Sequence, residues 1–390
     1  MPRERIPPHR RIESAPAAET DFLRTCLRAR HDAGLEDALR MAARNIDWSS
    51  LATAIQRERL APLLHPSLAP LGILPAGLAR SLQQSYRATA LRNLRLLGEL
   101  RQCVAQLLQG GISAIVLKGA ALAEPVYGNP ALRPMGDLDL LVRRPDVEAV
   151  RRILEGRGYE TGRAETHPGA VVEHENELLM RRPGRARIDL DLHWSLIDSP
   201  YHQDRAQMDW FWETARQAPI GGAPALTLGT EALLIHLCAH LALHHGGTGL
   251  LWWNDIAEVL ASEATRIDWN EMAARAHSFG LLLPVREVLA RLATEWQAPV
   301  PAEALRALSK RQPSRREARV VSRLRESGPA GRRFWTDLAG MPTWRQRLRF
   351  ARMHLLPSAA YMRQRYDIRH PWLLPLYYPY RWLRGALGLR

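Results

Sequence analysis

Two short stretches, Asp137–Val142 and Arg187–Trp194, alternate aspartates with aliphatic residues at a period of two. That spacing predicts strands whose carboxylates share one face while the aliphatic side chains line the other. Carboxylates side by side repel unless a cation or a proton lies between them. A chain that carries such pairs on two strands is therefore constrained to build a sheet with one apolar and one acidic face. Neighbouring segments supply the rest of the unit. Ser113–Leu117 is a short apolar, β-branched run, Glu177–Met180 reads as a further strand and Pro145–Leu154 as a helix, so residues 112–197 form a compact α+β unit.

Helices flank this unit. Asp21–Arg30 and Glu36–Arg44 show helical spacing, and Asp47 is placed to cap a helix that starts at Trp48. From Ala76 to Leu108 leucines recur at intervals of three and four, with Pro75 in the first turn and Gly110-Gly111 as the stop. Helical patterning returns from Thr230. Ile46-Asp47-Trp48 and Ile267-Asp268-Trp269 are two similar helix starts, with Asp as cap and Trp as anchor, and not a tandem repeat. The resulting organisation is a disordered leader (1–17), an N-terminal helical region (18–111), the α+β unit with its continuation (112–220), a second helical region (221–310) and an Arg/aromatic-rich C-terminal region (311–390).

The 390 residues, 46% of them hydrophobic, suffice for a substantial core. Three widely spaced cysteines, Cys26, Cys103 and Cys238, exclude a disulfide scaffold and a paired-Cys zinc module, and fit a reducing compartment. The first twenty residues lack an apolar signal core, and the longest apolar run, around Ala232–Leu243, is interrupted by histidines and too short to span a membrane. The expectation is a cytoplasmic protein, with the inner membrane surface as a second placement.

The net charge of +14 is confined to the end of the chain: residues 311–390 hold 18 arginines and 4 acidic residues, and everything before them balances. Among 54 basic residues only Lys118 and Lys310 are lysines. Lys118 therefore stands out as a compact ammonium in an arginine-using chain.

Asp137 and Asp139 project from one strand face, and Asp189 and Asp191 repeat the arrangement. Hard oxygen donors of this kind select Mg²⁺ or Mn²⁺ over zinc. Three carboxylates on neighbouring strands could hold two Mg²⁺ ions, one activating an attacking hydroxyl and the other clamping phosphates. Lys118-Gly119-Ala120 follows a strand and opens a helix, which offers backbone N–H groups and an ammonium to an anionic phosphate. The bland alternative for Asp-x-Asp alone is a solvated strand face. The ordered set of strand, Lys-Gly turn, helix and two Asp strands favours the metal and phosphate reading.

The runs Val116-Leu117-Lys118-Gly119-Ala120-Ala121-Leu122, Tyr127-Gly128-Asn129-Pro130, Leu132 to Val142 (Leu-Arg-Pro-Met-Gly-Asp-Leu-Asp-Leu-Leu-Val) and Asp191-Leu192-His193-Trp194 resemble the uncharacterised nucleotidyltransferase family of the polymerase-β-like superfamily. The resemblance is strong over 112–197 and looser around His240, Trp253-Asn254-Asp255-Ile256, Ile267-Asp268-Trp269 and the C-terminal stretch. It implies a polymerase-β-like nucleotidyltransferase palm flanked by helical regions, with Asp137 and Asp139 as the first carboxylate pair and Asp191 as the third; Asp189 is the fallback. The wider superfamily has Gly-Ser or Gly-Gly where this chain has Lys118-Gly119, so Lys118 contacts either the triphosphate or an acidic strand neighbour. Arg133 is a second phosphate candidate or a salt-bridge partner of a carboxylate. Tyr127 either stacks on a base or belongs to the core.

His236, His240 and His244 lie four apart on a predicted helix without the glutamate of a zinc-protease motif. A helix packed on the palm, with one or two histidines near the cleft, is the favoured reading, and His240 is the best candidate for an acceptor-side contact. Asp255 either orients the acceptor or bridges helices. The C-terminal arginines, interleaved with Trp335, Trp344, Trp372 and Trp382, suit a helix packed on the protein with its arginines solvated, an anionic membrane surface or peptide, or nucleic acid. The function these features imply is transfer of a nucleoside monophosphate from an NTP such as ATP to an unknown acceptor, a small molecule or a peptide or protein hydroxyl or phosphate. Two-Mg²⁺ catalysis would release pyrophosphate. The alternatives are a catalytically silent nucleotide-sensing or peptide-binding protein of a biosynthetic pathway, and a nucleic-acid-modifying nucleotidyltransferase that uses the basic tail.

Overall fold

The computed structural model describes residues 17–161, 176–184, 187–197, 199–203, 205–325, 330–341 and 343–386. Apart from Ala17, the expected leader lies outside the described residues. The described residues form one mixed sheet of seven strands: β1 (Ile115–Val116), β2 (Leu138–Leu141), β3 (Glu160–Thr161), β4 (Glu177–Arg182), β5 (Ile188–His193), β6 (Arg216–Ile220) and β7 (Ala223–Thr227). Their order across the sheet is β3-β4-β5-β2-β1-β7-β6. The β2–β5 and β1–β7 pairs are parallel and the others antiparallel. Because β7 pairs with β1, the sheet runs on past residue 220 to Thr227.

The alternation in the sequence sets the two faces. Leu138, Leu140, Ile188, Leu190, Leu192, Leu178 and Met180 turn to one side and bury against Leu100, Cys103 and Leu107 of the long helix Ala76–Gln109 and against Val150 and Leu154 of the helix Val147–Gly156. Burial of side chains this size contributes about 1.5–3 kcal/mol each. The opposite side carries Asp139, Asp189, Asp191 and His193. A second, larger core gathers the N-terminal helices, Ile115, Leu117 and Leu141 of the sheet, and the helices from Thr230 to Ser309. All three cysteines are buried and unpaired.

Helix starts follow their side-chain chemistry. Asp47 caps the helix Trp48–Glu58 by accepting from Ser49 N (2.9 Å) and Ser50 N (3.4 Å), and Asp268 caps Trp269–Ser278 by accepting from Asn270 N and Glu271 N (both 3.0 Å). Pro75 sits at the cap of the long helix, one residue before the expected first turn. The expected helix over Pro145–Leu154 begins instead as a 3₁₀ turn, Arg144–Asp146, and becomes α-helical at Val147. The Arg-rich end is helical, packs through Phe350, Met362 and Ile368, and leaves several large apolar side chains in solvent. Among the described residues no helix is long and apolar enough to cross a membrane.

One buried histidine makes stability pH-dependent. His202 is fully buried, its Nε2 lies 3.2 Å from Gly280 O, and its Nδ1 has no partner. Burial pulls its pKa down to about 4, with the Gly280 carbonyl opposing and the Arg205 charge assisting. Its folded pKa lies below its unfolded value of about 6.5, so the unfolded chain binds the extra proton first and stability falls as pH drops below 6.5. Between pH 6.5 and 5 this one group should cost about 2 kcal/mol, measured as a shallower pH slope of urea unfolding in His202→Phe than in the natural chain.

Candidate active site

Parallel pairing of β2 with β5 sets Asp139 directly beside Asp191. Both are buried, with Asp137 half-buried at the loop end just before β2. The expected strand over Asp137–Val142 is thus shorter by a residue at each end. Loop 130–136, which delivers the first aspartate, is held by the long helix. Asn93 Nδ2 donates to Pro130 O (2.6 Å) and Arg133 O (2.7 Å), while Arg92 donates to Met135 O (3.0 Å) and Gly136 O (2.9 Å).

On the other side of the carboxylates, Leu117 N donates to Asp139 O (3.0 Å), which extends the β1–β2 pairing by one bond. The chain then turns sharply at Lys118, whose φ of +48° is the left-handed region that side chains other than glycine rarely occupy. The turn aims the ammonium back at the strand, and Nζ reaches Asp139 Oδ1 at 2.7 Å. Gly119 is the second residue of a helix of six residues, Lys118–Ala123. A Cβ there would stand 3.0 Å from Met135 Cγ and 3.5 Å from Arg133 Nη1, so the glycine permits the close approach of the two loops.

His193, two residues beyond Asp191 on the same strand face, completes the cluster. Its Nε2 lies 2.9 Å from the same Asp139 oxygen, and its Nδ1 lies 3.3 Å from Glu177 Oε2. Burial pushes the Asp139 carboxyl up, but Lys118 and His193 outweigh it and hold the group below the usual carboxylate range. Asp191 is shifted the other way. Burial and the adjoining charges of Asp139, Glu177 and Asp137 raise it to about 7, with His193 opposing. Burial pulls the Lys118 ammonium down, and Asp139, Glu177 and Asp191 more than reverse this.

Asp189, the fallback ligand, is spent elsewhere: Arg181 Nε and Arg187 Nη2 each donate to it at 3.0 Å. Arg133 lies beside Gly119 and within electrostatic reach of Asp137, yet its Nε and Nη2 donate to the two oxygens of Asp255, both at 2.7 Å. Tyr127 is buried, its hydroxyl donates to Asp255 Oδ1 (2.8 Å), and the Arg30 guanidinium lies 5.8 Å over its ring. Of the two readings open for each, the structure thus brings Arg133 and Tyr127 into a buried cluster that joins loop 127–135 to the helix Leu250–Glu263. The salt-bridge partner is Asp255, not a strand carboxylate.

The histidines depart from a regular helix. The α-helix Thr230–Ala239 passes into a π-helical turn, His240–His244, an element that recurs at functional sites. The wider turn stacks His240 on His244 (4.8 Å between rings) and brings His245 Nε2 to 3.0 Å from His240 Nε2. His236 is buried with neither ring nitrogen bonded. Burial lowers it to about 3, and the charges of Lys118 and His193 assist, so this ring is within electrostatic reach of the carboxylate cluster.

Sequence reasoning missed three residues: His193, Glu177 and Arg59. The period-two spacing after Asp191 was the available signal for His193. Glu177 required the β4–β5 register, which sets it opposite His193. Arg59 comes from the end of the helix Trp48–Glu58, is exposed, and its guanidinium would lie 3.9 Å from a Cβ on Gly136. No local pattern links it to Asp137, whose charge it feels.

The donor chemistry of Asp137, Asp139 and Asp191, all carboxylate oxygens on or beside the paired strands β2 and β5, fits a hard divalent cation. Among the described residues no group of three or more His, Cys, Asp and Glu side chains is already gathered as metal ligands, and the Lys118 ammonium fills the cation's role at Asp139.

An α+β sheet with adjacent aspartates on parallel central strands, approached by a Lys-Gly turn, defines the class. The family model described as uncharacterised nucleotidyltransferase matches residues 44–297, well over half of the chain, and the chain belongs to that family. An antigenic nucleotidyltransferase-like protein from Paracoccidioides brasiliensis is a similar solved structure at 14% identity, with a TM-score of 0.35 over 54% of this chain and 95% of that one. No curated protein matches the chain.

Proposed function

We propose that the chain transfers a nucleoside monophosphate from an NTP to an acceptor hydroxyl or phosphate. The observation that carries this reading is the register that pairs Asp139 with Asp191 beside Asp137 and Lys118. In the reaction the acceptor oxygen bonds to the α-phosphorus, the bridging P–O bond to the β-phosphate breaks, and pyrophosphate leaves. Asp137, Asp139 and Asp191 would hold Mg²⁺ or Mn²⁺, which when bound supplies charge neutralisation for the phosphates and a lowered acceptor pKa. Lys118, with the N–H of Gly119, binds phosphate oxygens once its ammonium leaves Asp139. Asp191, beside Asp139 on the neighbouring strand, takes the acceptor's proton. Arg133 and Tyr127 position the loop through Asp255 and do not touch the nucleotide.

The 2.7 Å Lys118–Asp139 contact favours a second reading, a catalytically silent nucleotide sensor in which the ammonium permanently replaces a metal ion. Incubation of the protein and a lysate of its host with each NTP and Mg²⁺, followed by mass spectrometry, separates the two. Transfer predicts a molecule heavier by one nucleoside monophosphate, absent with Asp137→Ala/Asp139→Ala. NTP binding with no modified product would leave the sensor.

A further inference from the structure

The C-terminal helices lie beyond the segment that the family model covers, in residues 311–390, which hold the chain's whole excess of positive charge. They also hold most of its exposed apolar bulk. Of fourteen large hydrophobic side chains exposed among the described residues, ten fall between Trp335 and Leu383. Such a concentration in one region is the mark of an interaction surface, since singly scattered apolar residues need no explanation.

The exposed residues are arranged in stripes. On the helix Trp344–Leu355, Trp344 (68% exposed), Leu348 and Leu355 follow at intervals of four and seven, which places them within about 40° of one another around the axis. The helix's own core contact, Phe350, lies on the other side, and Arg345 and Arg352 border the stripe along one edge. On the helix Leu374–Ala386, Leu376, Tyr380 and Leu383 follow at four and three, with Arg384 over the Tyr380 ring. This second helix is pinned to the end of the first and to the residues just after it by bonds from Trp382 Nε1 to Leu355 O (2.7 Å) and from Tyr378 OH to Pro357 O (2.8 Å). The stripes are thus presented by packed, bonded helices.

We infer that this region docks the protein on an anionic bilayer surface, with its tryptophans and leucines in the headgroup boundary and its arginines on acidic lipid headgroups. Charge complementarity selects an anionic occupant: 18 arginines face 4 acidic residues over residues 311–390. The leucines select lipid over nucleic acid. Base stacking uses aromatic and guanidinium planes and has no use for solvent-exposed leucines at helical spacing, whereas an interfacial helix needs them. Docking is peripheral, because no described helix can span a bilayer.

The test is co-sedimentation of the full chain with vesicles of phosphatidylcholine alone and of phosphatidylcholine with phosphatidylglycerol at about 3:1, read also by tryptophan emission. Binding is expected to the mixed vesicles only, with a blue shift, and to weaken as salt rises. Trp344→Ser/Leu348→Ser/Leu376→Ser/Leu383→Ser, all surface changes, should weaken partitioning by at least about tenfold, and Arg345→Glu/Arg352→Glu should weaken it comparably. Light scattering without vesicles checks that both variants remain folded and of unchanged mass. The inference is overturned by absence of binding to the mixed vesicles or by binding that survives the serine changes. Tighter binding to single-stranded RNA, or a dimer that the serine changes dissociate, would also overturn it. Loss of nucleotidyl transfer in the Asp variant leaves this test unaffected.

Discussion

Asp139→Asn is expected to lower nucleotidyl transfer at least about 10³-fold, equivalent to about 4 kcal/mol of transition-state stabilisation, while thermal unfolding stays near that of the natural chain. Asp139 is where three elements meet: β2 supplies it, Lys118 and His193 both bond to its Oδ1, and Asp191 lies in register beside it. The amide can still accept from Lys118 and His193, and the ammonium keeps Glu177 and Asp191 as charged neighbours. The loss should therefore fall on turnover and Mg²⁺ response and not on folding. Far-UV circular dichroism beside a pyrophosphate-release assay checks both halves. An asparagine variant with undiminished turnover would remove Asp139 from the chemistry.

Asp255→Ala should destabilise the protein by about 3–5 kcal/mol in urea unfolding, because it strands the buried Arg133 guanidinium and removes the acceptor of the Tyr127 hydroxyl. Arg133→Met/Asp255→Leu, which removes both charges, should recover much of that loss. A double variant as unstable as the single one would mean that the ion pair fixes the loop's course and does more than satisfy its own charges. The comparison also bears on Arg133. If it bound phosphate directly, the double variant would lose transfer even where stability had recovered.

The parts of this molecule governed by neighbours in sequence were legible in it. Period-two alternation located β2 and β5, the Asp-Trp pairs located two capped helices, and the Asp-x-Asp and Lys-Gly signals led to side chains that do converge. The unread parts depend on who lies opposite whom. That Arg181 and Arg187 claim Asp189 while Asp191 lies beside Asp139 follows from the β4–β5 and β2–β5 registers, neither of which has a local signature. Asp255 reads in the sequence as a bridge or an acceptor contact, but its partner, Arg133, is separated from it by six of the seven strands. The four-residue spacing of the histidines promised a single stacked row. One π-helical turn, which no propensity announces, keeps His240 stacked on His244 and also draws in His245.

The parallel contact between β2 and β5 has a kinetic meaning. Its two aspartates belong to segments joined by a long crossover, so neither hairpin closure nor a single helix can bring them together. Late, non-local pairing of this kind is slow to form. The acidic pair should thus be among the last features to assemble. Any ligand gripping both strands would act as a clamp on the finished sheet, raising the unfolding temperature in proportion to its occupancy. Thermal-shift titration with single nucleotides would then register engagement of the two strands before any acceptor is known.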